Sequence, residues 1–128
     1  MPAQASYDYA VVRVVPCVER GEFLNVGVIL FCRTRRFLAA SISIDVERLA
    51  ALAPQLDVDE VKRHLDRMPL LCAGGKDAGY IGRLSQSERF HWLVAPRSTI
   101  IQTSPVHSGL CIDPEIVLKQ LLEKMVLL

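Results

Sequence analysis

Between Arg13 and Leu30 two apolar runs meet through a short polar loop, Pro-Cys-Val-Glu-Arg-Gly-Glu, and this junction limits the fold more than any other stretch. Before it, Tyr7, Tyr9, Val11, Arg13 and Val15 alternate with Asp8, Ala10, Val12 and Val14, the period-two pattern of a pleated strand. Pro16 has no N–H for a sheet ladder and Gly21 can adopt positive φ, so the chain should turn between them and re-enter extended structure near Phe23. Beyond the turn, Val26, Val28, Leu30 and Cys32 interleave with Gly27, Ile29 and Phe31, so both faces are apolar. Such a strand is central and covered on two sides.

The polar groups of the hairpin are conspicuous because the rest of it is apolar. Arg13 shares a pleat face with Tyr9, Val11 and Val15, and needs either an exit to solvent or a partner. Glu22 and Asn25 are the nearby candidates, with Arg13 roughly opposite Asn25 if the hairpin is regular. One reading is structural: Glu22 neutralises Arg13 while Asn25 satisfies loop amides. The other is functional: Arg13 holds a carboxylate or phosphate through its planar fork, with Glu22 orienting it or exchanging a proton.

The remainder reads as alternating strand and helix signals. Arg33 to Arg36 form a polar turn, and Leu38, Ala40, Ile42 and Ile44 predict a third strand. Asp45 can cap a short helix over 46–53 that Pro54 ends. Asp57 and Glu60 resemble a capping box before an apolar stripe of Val58, Val61, Leu65 and Met68, which Pro69 should disrupt. Gly74, Gly75, Gly79 and Gly82 predict the most flexible connection. Ser85 and Glu88 spell a capping box for a third helix ended by Pro96, and residues 98–104 suit a short edge strand. Asp113-Pro114 then opens a final helix with Ile116, Val117, Leu121, Leu122 and Met125 on one stripe. The expectation is one α+β domain over 1–128: an antiparallel sheet begun by an N-terminal hairpin meander, helices on one face, and a late strand before a C-terminal helix.

Composition narrows the function classes. The 128 residues are 51% hydrophobic and 23% charged, with 15 basic and 14 acidic side chains, so nothing here drives nonspecific nucleic-acid binding. No apolar run approaches the roughly 20 residues of a membrane span, and Met1 to Asp8 lack a secretory leader, so the expected location is cytoplasmic. Cys17, Cys32, Cys72 and Cys111 form no Cys-x-x-Cys pair, and His64, His91 and His107 lack ligand spacing; no metal or cofactor is indicated, and buried free thiols are expected. Arg33, Arg35 and Arg36 with Arg20 suit a solvated turn or a local phosphate patch. Gly74-Gly75-Lys76 lacks phosphate-loop spacing.

A nucleophile set of Cys111, His107 and Asp113 is close in sequence, but catalytic geometry is spatial and no oxyanion site accompanies it. Arg97, Ser98, Gln102 and Ser104 make a better second polar cluster, on one face if the segment is extended. Pro105, His107, Gly109 and Asp113 would then form the loop into the last helix.

Three stretches carry a resemblance: Tyr-Asp-Tyr-Ala-Val-Val-Arg-Val-Val-Pro from Tyr7, Arg-Gly-Glu-Phe-Leu-Asn-Val-Gly-Val-Ile-Leu from Arg20, and Arg-Ser-Thr-Ile-Ile-Gln-Thr-Ser-Pro-Val-His-Ser-Gly-Leu-Cys-Ile-Asp-Pro-Glu from Arg97. On these the chain resembles a bacterial family catalogued as a domain of unknown function. The resemblance implies small proteins, some beside kinase-like proteins, and brings no activity, cofactor or catalytic residue. The leading expectation is an interaction or regulatory module with a protein partner, a kinase-like protein being the candidate the resemblance suggests. The alternative is an enzyme or binding protein for a phosphorylated or carboxylated ligand, using Arg13, Glu22, Asn25, Arg97, Ser98 and Gln102. A nucleic-acid role ranks third.

Overall fold

The computed structural model describes residues 3–97 and 99–127. Its sheet has five strands: β1 (Ala5–Val14), β2 (Leu24–Cys32), β3 (Phe37–Ile42), β4 (Ile101–Thr103) and β5 (His107–Cys111). The order is β3-β2-β1-β4, with β5 also on β1 and every pairing antiparallel. Because β2 occupies one edge of β1, β4 and β5 share the other, β4 along Val12–Val14 and β5 along Ala5–Tyr9.

Between those last two strands, Ser104, Pro105 and Val106 oppose only Ala10 and Val11, which is a bulge that accommodates the proline. Ser104 knits the gap. Its N–H donates to the Val11 carbonyl and its Oγ accepts from the Val11 N–H, each at 2.8 Å. The expected loop into the last helix is therefore a strand over His107–Cys111, since the bulge restores pairing after the proline.

A second irregularity lies in the hairpin. Val12 pairs with Gly27 and Arg13 with Asn25, leaving Val26 as an extra residue on β2. The extra residue swaps the facing of everything before it: Leu24 and Val26 join one core, whereas Val28, Leu30 and Cys32 join the other. Glycine is required at the swap, because a Cβ on Gly27 would sit 2.6 Å from Ile42 Cδ1 and 2.7 Å from the Ser41 carbonyl oxygen.

Four α-helices cover the sheet: α1 (Val46–Leu52), α2 (Val58–Ala73), α3 (Gln86–Val94) and α4 (Pro114–Met125). Asp45, Asp57, Ser85 and Asp113 each accept from a first-turn amide, and Ser85 with Glu88 completes the reciprocal box. Leu49, Leu65, Met68, Phe90 and Leu93 pack with Val12, Val14, Ile29 and Phe31 on one face. Leu118, Leu121 and Val126 of the α4 region pack with Val28, Leu30 and Cys32 on the other. The expectation of helices on one face is thus corrected: a strand apolar on both sides needs two covers, and α4 supplies the second.

Pro69 does not end α2, which continues to Ala73. The proline removes one helical N–H, but Leu71 and Cys72 are buried beyond it and the turn closes through the Gly74 N–H to the Leu70 carbonyl at 3.0 Å. Gly74 sits at φ 75°, against the guanidinium of buried Arg89, which donates to the Leu84 and Cys72 carbonyls at 2.6 and 3.2 Å. The glycine-rich segment, expected to be the loosest connection, folds into turns over Lys76–Ala78 and Ile81–Arg83 joined by a Gly75 to Gly82 backbone bond. No helix among the described residues is long and apolar enough to cross a membrane.

Candidate functional site along the half-exposed strip of β1

α4 lies against β2 and β3, leaving the same face of β1 with half-exposed polar and aromatic side chains. Tyr7, Tyr9, Val11 and Arg13 descend this face at the two-residue repeat, with Val11 buried and Tyr7 and Tyr9 packed against the margin of the α4 core. Tyr7 lies over Gly109, where a Cβ would meet its hydroxyl oxygen at 2.5 Å, so the glycine on β5 makes room for the ring. Tyr7 and Tyr9 centroids are 6.1 Å apart, and Tyr9 and His107 are 5.5 Å apart. Burial, then Tyr9 and Cys111, pushes the Tyr7 hydroxyl pKa up, which keeps it a neutral donor.

Arg13 sits between Asn25 on β2 and Gln102 on β4, directly paired with both. Its guanidinium carbon lies 4.0 Å from the centroid of the Phe23 ring, within cation–π range. Phe23 precedes Asn25 by one pleat repeat, which makes it the diagonal neighbour of Arg13. Asn25 Nδ2 donates to the Met125 carbonyl at 3.1 Å and so ties the hairpin to the end of α4. Two atoms here are shut from solvent without a hydrogen-bond partner: Arg13 Nε, a donor, and Asn25 Oδ1, an acceptor. Among the described residues no carboxylate pairs with Arg13.

Glu22 does not fill that role. It accepts from Arg20 Nε at 2.6 Å, with both side chains exposed, because the turn through Gly21 at φ 71° keeps Glu22 in the loop outside the sheet. Phe23, which composition alone gave no reason to choose, covers Arg13 instead. The Arg20–Glu22 pair lines a cavity of about 420 Å³ together with Pro16, Cys17, Leu52 and Gln55, and neither Arg13 nor Phe23 lines it.

The second predicted cluster divides. Gln102 joins Arg13 through the β4 pairing, whereas Arg97 stacks on Trp92 at 4.4 Å and donates to its carbonyl at 2.5 Å. Ser98 lies outside the described residues. Only Ile101–Thr103 is strand, so the alternation assumed from Arg97 onward does not hold there. Ser104 is buried and spent on the Val11 backbone.

The remaining candidates are structural or dispersed. Arg35 bonds the Ala3 carbonyl, and Arg36 takes φ 51° in the β2–β3 turn, at the far end of β2 from Arg20. Lys76, Tyr80 and Arg83 with Gly75 and Gly79 line a cavity of about 570 Å³. Cys32, Cys72 and Cys111 are buried, but Cys17 is exposed in the hairpin loop, correcting the expectation that all four are buried. Burial, partly offset by Arg89, pushes the Cys72 thiol up to about 12. Burial, followed by neighbouring Cys32, also raises Cys111, the opposite of an activated nucleophile. Asp113 is engaged at the α4 N-cap and His107 against Tyr9, so these three do not assemble a nucleophile set. No group of three or more His, Cys, Asp or Glu is gathered for a metal among the described residues.

The same β1–β2 and β4–β5 stretches that build this face fall within residues 9–126, which match the sequence model of the protein family of unknown function DUF3037. The chain belongs to this family. The match spans both cores, so the DUF3037 region includes α4 and the helices of the opposite face. No curated protein and no solved structure matches the chain.

Proposed function

We propose that this DUF3037 protein is a recognition module that docks an acidic segment of a protein partner along the half-exposed strip of β1, with Arg13 as the anchor. The observation that carries the reading is Arg13 itself: a half-buried guanidinium stacked on Phe23, flanked by Asn25 and Gln102, with no carboxylate of the described residues beside it. A stacked arginine has its fork held in place before a ligand arrives, so less side-chain freedom is lost on pairing with a carboxylate. Tyr7, Tyr9 and His107 extend the strip with the aromatic groups that enrich interface centres. An acidic peptide fits better than a bare anion, because its chain can lie along the Tyr7, Tyr9 and His107 strip while one carboxylate meets Arg13.

The proposal includes a cytoplasmic setting, and a kinase-like protein is the first partner to test. Amide chemical-shift mapping with a hexaglutamate peptide should move Arg13, Asn25 and Gln102, and Arg13→Met should abolish the response. Unchanged shifts in the native protein, or equal binding by the Arg13→Met variant, would overturn it.

The cavity of Lys76, Tyr80 and Arg83 favours a second reading, a phosphorylated small ligand held by two cations beside an aromatic ring. Titration with a nucleoside monophosphate tests it: shifts confined to residues 75–83 support it, and none overturns it.

A further inference from the structure

We propose that two copies of this chain associate through β5, pairing antiparallel across a two-fold axis at Gly109 to make one continuous sheet. The argument begins with which way the backbone points. Val15 N–H donates to the Ile100 carbonyl at 2.6 Å, and Ser104 N–H to the Val11 carbonyl at 2.8 Å. Odd-numbered residues of β1 thus direct their amide and carbonyl groups toward β4 and β5. By the alternation of an antiparallel ladder, Ala5, Tyr7 and Tyr9 bond Cys111, Gly109 and His107. Ser108 and Leu110 therefore present their N–H and C=O groups outward, at an edge no described strand occupies.

Natural sheets protect such an edge with charge, and β5 itself carries none; the carboxylate beside it is Asp8 on β1, which accepts from Ser108 Oγ at 2.6 Å. From Thr99 to Ile112 the chain contains no Lys, Arg, Asp or Glu. Val106, Leu110 and Ile112 are instead 43%, 64% and 51% exposed at alternate positions, with Ile116 of α4 nearby in sequence and 53% exposed. The outward groups restrict a self-pairing to registers that bond even-numbered residues, and the one centred on Gly109 sets Ser108 of one copy against Leu110 of the other. Val106 then meets Ile112 on the same face as Leu110, so the exposed apolar residues gather on one side of the seam. A C2 contact of this kind closes on itself and leaves no free β5 edge to propagate.

Sedimentation velocity across the micromolar range tests the pairing. The wild-type chain of 14.3 kDa should sediment at about twice that mass. Leu110→Lys should be monomeric with an unchanged far-UV spectrum. Ser108→Pro should behave likewise, because the N–H it removes points outward and belongs to no internal ladder bond. In hydrogen exchange, the Ser108 and Leu110 amides should be protected in the wild type and lose that protection in Leu110→Lys. A monomeric wild type overturns the proposal and leaves the edge to an extended segment of another protein. A dimer that persists in folded Leu110→Lys overturns it by placing the interface elsewhere. Arg13→Met should leave the dimer intact, which separates this test from that of the acidic-peptide site.

Discussion

Arg13 and Asn25 stand directly opposite each other across the β1–β2 ladder, yet the buried donor of one and the buried acceptor of the other remain unpaired. Phe23 holds the guanidinium and the Met125 carbonyl holds the amide, so each residue is fixed by a neighbour other than its pair. Replacing Asn25 by Leu should therefore cost about 1–3 kcal/mol, chiefly by leaving the α4 carbonyl without its donor. Urea denaturation measures the loss, and hydrogen exchange should show it first in the last turn of α4.

Arg13→Met should behave differently. It removes an unpaired buried donor along with the charge, so stability should change by less than about 1 kcal/mol while acidic-peptide binding disappears. Thermal unfolding and peptide titration on the same sample separate the two effects.

Gly27→Ala should be among the most damaging small substitutions. The new methyl meets the Ser41 carbonyl oxygen at 2.7 Å, and backbone in a sheet gives little, so a loss of about 1–3 kcal/mol is expected from overpacking alone. Gly21→Ala is the control: nothing lies within 4 Å of its Cβ, and only the φ of 71° opposes it, at about 1–2 kcal/mol. Equilibrium denaturation of both variants compares steric with conformational cost.

Ser85→Ala removes the acceptor for the Glu88 amide and the hydroxyl donation to the Glu88 carboxylate, while the backbone N–H at position 85 still donates to that carboxylate, and should cost roughly 1 kcal/mol. Because Phe90 and Leu93 of α3 pack into the larger core, the loss should be seen in global unfolding. Ser87→Ala, next to the cap, is the comparison.

Alkaline pH should destabilise the fold through its buried thiols. The Cys72 thiol is raised from 9.0 to about 12, so the unfolded chain sheds a proton that the folded chain keeps. Stability should then fall as pH rises from about 9 toward 12, with the raised Tyr7 hydroxyl adding in the same direction. Cys72→Ala should flatten that slope in a pH series of thermal melts. In native labelling with iodoacetamide near neutral pH, Cys17 should react first, and Cys32, Cys72 and Cys111 only on unfolding.

The sequence by itself determined what depends on neighbours along the chain. Apolar alternation predicted the hairpin, its tight loop set Arg13 opposite Asn25, and Asp45, Asp57, Ser85 and Asp113 marked all four α-helix starts. It also showed that β2 is apolar on both faces, without showing that α4 is what covers the second. Pro69 predicted a disruption, and the helix runs on through it because of the burial of Leu71 and Cys72, a long-range fact. The tertiary structure alone decided the partners: Glu22 to Arg20, Phe23 over Arg13, Gln102 beside it and Arg97 away on Trp92. The bulges at Val26 and around Pro105 explain much of that difference. One extra residue reverses which side every later group faces, and the energy that favours it comes from close packing with strands and helices distant in sequence.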